Sequence, residues 1–249
     1  MGGSTKVNLF SAVIFSWKRT WRTIRMLFQP EHHVLRGFMI AYFFFSDGYS
    51  TIINVGIIYA QTELNISTMW LGVILVEVVF FNMVGVRFYR WLFEERFSMR
   101  LQQALLILLY QYIAISVLAF LILQFGLIPL FFFGFSHGML LGAVMATTRA
   151  LFSSLVPHGL EAQFFALYAI SDKGSSWIGP CVVAVMSQFA SVRYGILWVV
   201  VALAVGAFIL CRLPLDEVLA QKRKSQRTSS SYTRENAAPD QVGSSSAAE

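Results

Sequence analysis

The sequence predicts an all-α polytopic membrane protein with six transmembrane helices. Three observations carry the prediction. Of 249 residues, 57% are hydrophobic and only 13% charged, with a mean hydropathy of +0.64; a soluble domain is nearer half apolar and a quarter charged. Six apolar runs, at 37–61, 69–91, 101–123, 126–150, 163–190 and 194–213, each reach the ~20 residues that a ~30 Å hydrocarbon core requires. The basic residues sit between these runs with a strong bias. With the N-terminus set in the cytoplasm, 17 of the 19 Lys and Arg lie in cytoplasmic segments, among them Arg36, Arg87, Arg90, Arg96, Arg100 and Arg149. Only Arg193 falls in a far-side loop, and Lys173 within a run. This asymmetry follows the positive-inside rule and sets both termini in the cytoplasm.

The flanks divide the chain into three: residues 1–35, a six-helix domain over 36–214, and 215–249. In the first, Ile14, Trp17, Trp21, Ile24 and Phe28 recur at helical spacing, with Lys18, Arg19, Arg22 and Arg25 on the other face. Such a helix suits an anionic leaflet, or serves as a basic connector. The polar, Ser-rich stretch 215–249 reads as a disordered tail. Met1 opens onto a polar and basic segment, so no secretory signal peptide is expected. Because the basic residues flank the spans, the pI near 9.5 does not indicate nucleic-acid binding. Cys181 and Cys211 lie within apolar runs and read as small buried hydrophobes rather than a disulfide.

In the first span Asp47, Ser50, Thr51 and Asn54 recur at i, i+3, i+4 and i+7, which puts them on one face. Gly48 lets the backbone bend or a ligand approach. Asp47 lines a substrate or proton site, or joins an interhelical cluster with Lys173 or Arg149; the residues leave both open. Glu77, isolated among Val, Phe and Leu in the second span, is a candidate proton carrier or a structural carboxyl. The third span has only Gln111 and Tyr112 as central polar groups. Gly134, Gly138 and Gly142 at spacing four in the fourth span form a small-residue ridge that admits a neighbouring helix.

The fifth span is the most unusual. Ser171 and Ser175 share a row, Asp172 lies on the next, and Lys173 points about 100° away, the angle per residue of a 3.6-residue turn. Each charge is therefore expected to pair across to another helix, Lys173 with Asp47 or Glu77. Gly179-Pro180 is expected to kink or hinge this helix. The sixth span, without a central polar residue, reads as a lipid-facing support.

Gly134-Phe135-Ser136-His137-Gly138 matches the G-x-S-x-G pattern of serine hydrolases. Its surroundings are helical, and His137, adjacent to Ser136, points to another face. An intramembrane serine protease is therefore a remote alternative. No other catalytic motif is found, nor one for a cofactor or metal. Asn65-Ile66-Ser67 is a glycosylation tripeptide in a far-side loop.

The segments AYFFFSDGYSTI (41–52), TRALFSSLVPHGLEAQFFALYAISDKGSSWIGP (148–180) and RYGI (193–196) resemble the second half of the fungal autophagy-related vacuolar amino-acid effluxer family, over roughly residues 20–215. That resemblance implies one six-helix half of a major-facilitator fold. It also implies a vacuolar membrane transporter that exports amino acids, leucine-like ones included, from the vacuole lumen to the cytosol after autophagic breakdown. Carried over to this chain, Asp47, Gly48 and the stretch Ser171 to Ser175 are the implied functional positions. The implied partners are an amino-acid substrate, the bilayer, coupling protons, and either a missing N-terminal half or a second copy. The loop VGVRFYRWLFEERFSMR departs from the facilitator pattern, so no gating role is carried to Arg90. The alternative is a truncated, non-transporting membrane half-protein or assembly partner.

Overall fold

The structure, a computed structural model, describes residues 9–157, 159–189, 191–220 and 222, with side chains from Trp17 onward except Arg19. Helix α1 (Leu9–Leu27) turns Thr23 and Leu27 inward and leaves Trp17, Trp21 and Phe28 exposed. Thr23 Oγ1 donates to Gln163 Oε1 at 3.2 Å. The side chains of Ile14 and Arg19, which complete the amphipathic pattern, lie outside the described residues.

The bundle follows as α2 (His33–Thr62), α3 (Thr68–Arg90), α4 (Leu101–Ile122), α5 (Leu127–Leu155), α6 (Glu161–Ser175), α7 (Ile178–Met186) and α8 (Gly195–Arg212). The joints follow local chemistry. Helix α5 starts after Gly126, whose φ of 104° is a left-handed conformation that glycine adopts without strain. It stops at Val156, extended at ψ 134° because Pro157 disfavours a helical residue before it. Glu63, past the end of α2, accepts from Ser191 Oγ at 2.6 Å and Val192 N–H at 2.9 Å, which anchors the loop before α8.

The legs alternate in direction. Helix α8 runs against α2: Gly37 meets Leu213, Gly48 meets Leu203 and Gly195 meets Val55. Helix α4 also runs against α8, since Gln102 Nε2 donates to the carbonyls of Leu210 and Leu213 at 3.0 and 2.9 Å. Helices α3 and α5 are parallel, with Gly134 against Ile74, Gly138 against Val78 and Gly142 against Asn82. A Cβ built on Gly138 would lie 2.6 Å from the Val78 carbonyl oxygen, and one on Gly142 would collide with that of Asn82. Gly138 and Gly142 thus let two backbones touch, as small residues do between helices in lipid, while Gly134 meets the side chains of Ile74, Glu77 and Val78.

Four helical segments are long and apolar enough to cross a membrane: Thr68–Arg96, Leu101–Phe125, Leu127–Leu155 and Val192–Arg212. Helix α2 has the length, at 30 residues, but its polar stripe lowers its hydropathy. The single expected span at 163–190 is instead two helices, α6 and α7, neither of which has that length. On α3, Met69, Val73, Val76, Phe80 and Met83 form an exposed apolar stripe.

Three expectations change. Helix α8 is more than a lipid-facing support: Leu197, Val201 and Phe208 are exposed, but Val199, Leu203 and Leu210 are fully buried, because α8 fills the groove between α2 and α4. Cys181 and Cys211 are free thiols but exposed, not buried. The stretch from Pro214 forms a unit of its own and opens as helix at 215–220, with Val218 N–H donating to the Pro214 carbonyl at 3.3 Å. The remainder of the expected disordered tail, 223–249, lies outside the described residues, as do residues 1–8.

Candidate functional site: a carboxylate hub at a broken helix

The fifth leg breaks at Ser176–Trp177, between α6 and α7. The cause is Pro180. It has no N–H, so the carbonyl four residues earlier, on Ser176, loses its helical donor. Pro180 itself falls in the first turn of α7, where a missing N–H costs little. Ser175 Oγ and Ser176 Oγ both donate to the Asp172 carbonyl, at 3.1 and 2.7 Å, and so occupy one of the last acceptors of α6.

Asp172 is the centre of the polar cluster. Its Oδ1 accepts three hydroxyls from one row of α2: Tyr42 at 2.6 Å, Ser46 at 2.8 Å and Tyr49 at 3.1 Å. These residues recur at i, i+4 and i+7, the spacing of one helix face. Tyr168, one turn before Asp172, stacks on Tyr42 with centroids 4.2 Å apart and an interplanar angle of 18°. Hydroxyl bonds to an ionised carboxylate are roughly twice as strong as neutral ones. Asp172 is therefore held rigidly, although 21% of its side chain remains exposed.

Lys173 does not pair with Asp47 or Glu77. Its Nζ lies 3.5 Å from Asp172 Oδ2. The angular separation along the helix is overcome because the four-carbon stem folds back over its neighbour. With 85% of the Lys173 side chain exposed, the ion pair adds little to stability. The result is an accessible cation beside a fixed anion.

Asp47 sits apart from this hub and does not pair with Lys173 or Arg149. It is 3% exposed. Its Oδ1 accepts from the Gly179 backbone N–H at 2.9 Å, and its Oδ2 from Trp198 Nε1–H at 2.9 Å. Gly179 is the second residue of α7, and its N–H is among the donors that a helix start leaves unpaired. Asp47 thus caps α7 from another helix, with its negative charge at the positive end of the helix dipole. A side chain on Gly179 would collide with Thr51, which explains glycine there. Gly48 lies against Leu203 of α8, 2.9 Å from a Cβ built upon it.

The rest of the expected row divides. Ser50 Oγ and Asn54 Nδ2 donate back to their own helix, to the carbonyls of Ser46 and Ser50 at 2.7 and 3.2 Å. Thr51, Asn54, Pro180 and Ser187 line a cavity of about 170 Å³ between α2 and α7. Ser171 is half-buried on α6. A second cavity, about 350 Å³, lies where α3, α4 and α5 meet, lined by Arg90, Glu94 and Thr147 among others. Arg90 Nε donates to Glu94 Oε2 at 3.0 Å.

Glu77 lies against Gly134, from which a Cβ would stand 3.4 Å from Glu77 Oε2. That oxygen is buried and has no hydrogen-bond partner among the described residues. Ser136 and His137 do not form a catalytic pair: His137 Nδ1 bonds Tyr112 Oη at 2.6 Å, and its Nε2 is buried without a partner among the described residues.

Sequence reasoning missed Tyr42, Ser46 and Tyr49 as partners of Asp172, and Tyr168 as the ring stacked on Tyr42. The first three carried a readable signal, hydroxyls at i, i+4 and i+7 in an otherwise apolar helix. Trp198, alone in its run, carried none.

The model of the "Vacuole effluxer Atg22 like" family matches residues 3–223. Autophagy-related protein 22-2 of Emericella nidulans is 32% identical over 225 residues, covering 85% of this chain and 36% of that protein. Autophagy-related protein 22-1 of Aspergillus clavatus is 33% identical over 200 residues, covering 75% and 32%. Autophagy-related protein 22 of Botryotinia fuckeliana is 30% identical over 213 residues, covering 78% and 34%. The chain thus spans about a third of the length of these relatives. No solved structure matches it. The family model covers all the described residues, and these relatives match three quarters or more of the chain at 30% identity or above: the chain belongs to the Atg22-like vacuole effluxer family.

Proposed function

We propose that this chain is the substrate-path half of a vacuolar membrane transporter that releases amino acids, leucine-like ones included, from the vacuole lumen to the cytosol after autophagic breakdown. In this reading all six legs span the membrane, with α2 and the broken α6–α7 leg as the two polar ones. Both termini are cytoplasmic, and α1 lies on the anionic leaflet with Trp17 and Trp21 in the interface. The six legs form one half of a major-facilitator fold, and the exposed stripe of α3 faces the other half or a second copy.

The observation that carries this reading is the Asp172 hub. A carboxylate inside a membrane bundle is costly and marks a functional path by default. This one is held by Tyr42, Ser46 and Tyr49 beside a discontinuous helix, the arrangement around which transporters build midplane sites. Asp172 offers a fixed anion for a substrate ammonium, and Lys173 a movable cation for its carboxylate. Ser50, Thr51, Asn54, Ser171 and Ser175 line the way, Glu77 is the proton-carrying carboxyl, and Asp47 with Gly48 fixes the shape of the path.

The test is leucine efflux from vacuolar vesicles expressing this chain, alone and together with the first half of the Emericella nidulans relative. We expect efflux in one of the two settings and its loss, by about 100-fold, in Asp172→Asn, since a charge-assisted bond to a substrate is worth up to ~3 kcal/mol. No efflux in either setting, or full efflux by Asp172→Asn, overturns the reading.

A further inference from the structure

Helix α3 is continued by a π-helical turn, Trp91–Arg96, in which Phe97 N–H donates to the Leu92 carbonyl at 3.2 Å. Such turns are rare and often mark functional sites. This one supplies Phe93 and Glu94 to the cavity of about 350 Å³ where α3, α4 and α5 meet. Pockets for small molecules run from roughly 300 to 1,000 Å³.

The cavity exists because part of its wall is short. Ala104 of α4 and Ala143, Ala146 and Ala150 of α5 line it. The last three recur at i, i+3 and i+7, one face of a helix. None has a side-chain atom beyond Cβ, so the space stays open and its wall is aliphatic. Phe93, 7% exposed, adds an aromatic surface.

Two opposite charges line the same cavity, Arg90 and Glu94. Arg90 Nε donates to Glu94 Oε2 at 3.0 Å, and the two side chains are 65% and 51% exposed. So exposed a pair, at i and i+4, contributes little to stability, and parting it to admit a ligand costs little. The bond engages one N–H of the guanidinium fork and one carboxylate oxygen, which leaves donors and an acceptor for a ligand. A simple ion is a poor occupant: whichever charge attracts it, the other, 3.0 Å away, repels it. A ligand that carries both signs close together escapes this cancellation, with its anion on Arg90 and its cation on Glu94. That cation must also donate N–H, since a carboxylate only accepts. A quaternary ammonium cannot do so.

We propose that this cavity binds a zwitterion with a primary ammonium: the ammonium on Glu94, the adjoining anion on Arg90, and the aliphatic part against the alanine wall. A free α-amino acid with an apolar side chain has this chemistry. So does an ethanolamine phospholipid, through its ammonium, phosphate and acyl chain. The site shares no residue with the Asp172 hub. Binding here does not depend on the effluxer reading; only placement of the site on the cytoplasmic side does.

The test uses the purified full chain in nanodiscs of phosphatidylcholine, whose ammonium has no N–H. In one arm photo-leucine, a diazirine analogue of leucine, is added and its cross-links are mapped by mass spectrometry. In the other, phosphatidylethanolamine is mixed into the disc, and lipid retained on extraction into detergent is counted by native mass spectrometry. We expect cross-links within 86–104 or 143–150, or retention of phosphatidylethanolamine but not phosphatidylcholine; the arm that responds identifies the source. The signal should fall at least about 10-fold in Glu94→Gln and in Arg90→Gln, the equivalent of one charge-assisted bond, and in Ala146→Leu, which fills the space. Leucine should compete with photo-leucine, and N-acetyl-leucine, which has no ammonium, should not. No signal in either arm, a signal indifferent to Glu94→Gln or Arg90→Gln, competition by N-acetyl-leucine, or equal retention of the two lipids each overturns the site. The competition and the lipid comparison need no substitution and decide the matter where a variant does not fold. Cross-links confined to the surroundings of Asp172 count as no signal here, and efflux is not measured, so failure of this site and failure of the transport reading are told apart.

Discussion

Two pairings in this bundle are built from opposite materials. Helix α3 meets α5 through Gly134, Gly138 and Gly142, and at the last two the backbones touch. Helix α2 meets α6 and α7 through Tyr42, Ser46, Tyr49 and Asp47, with side chains bridging a polar gap. The first seam tolerates no added atom at Gly138 or Gly142. The second carries two carboxylates whose surroundings assign them different work. Asp47 is closed in by a backbone N–H and an indole and fastens α7. Asp172 is equally well bonded, yet it remains partly exposed beside an accessible lysine. Burial and partners separate a fastening from a site more sharply than residue type does.

The comparison is broken most severely at the glycine seam. Gly142→Val places atoms against the Asn82 carbonyl, which as backbone cannot swing aside, and should cost about 3 kcal/mol in thermal unfolding of the purified chain in detergent. Loss of less than about 1 kcal/mol would show that the seam yields. Asp47→Ala leaves the Gly179 N–H and the Trp198 indole unmet and should cost about 2 kcal/mol by the same measurement. Trp198→Phe, which leaves one buried oxygen of Asp47 unmet, should cost nearly as much, about 2 kcal/mol. Tyr42→Phe removes one of three donors to Asp172, so its stability should fall by no more than about 1 kcal/mol, while efflux falls steeply. Gly72→Ala, on the exposed face of α3 with nothing near its Cβ, should stay within about 0.5 kcal/mol of the wild type.

Much of the fold was legible because long apolar runs bounded by charge admit few readings. The ends of α2, α3, α4, α5 and α8 fall close to the edges of those runs. The break in the fifth leg was legible in kind but not in place. Gly179-Pro180 marked it, yet a proline frees the carbonyl four residues back, so the chain parts at Ser176. Pairings across the bundle were the least legible. Asp47 and Trp198 are 151 residues apart, and no local pattern links them. The row Asp47, Ser50, Thr51, Asn54 drew the eye because it starts with a charge, but half of it bonds its own backbone. The neighbouring row Tyr42, Ser46, Tyr49, with no charge of its own, reaches the functional candidate. The assumption that adjacent charges on a helix point apart failed at Lys173 because it treats a flexible side chain as a fixed vector.

The central claim, that the hub serves substrate and the Asp47 fastening serves structure, is tested most directly by measuring efflux per folded protein and thermal midpoint together for Tyr42→Phe and Trp198→Phe in the same vesicles. The account predicts that Tyr42→Phe keeps its midpoint within a few degrees and loses at least about 10-fold in efflux, the equivalent of one hydrogen bond to a charged group. It predicts that Trp198→Phe lowers the midpoint and keeps its efflux per folded protein. Full efflux in Tyr42→Phe, or equal loss in both variants, would contradict it.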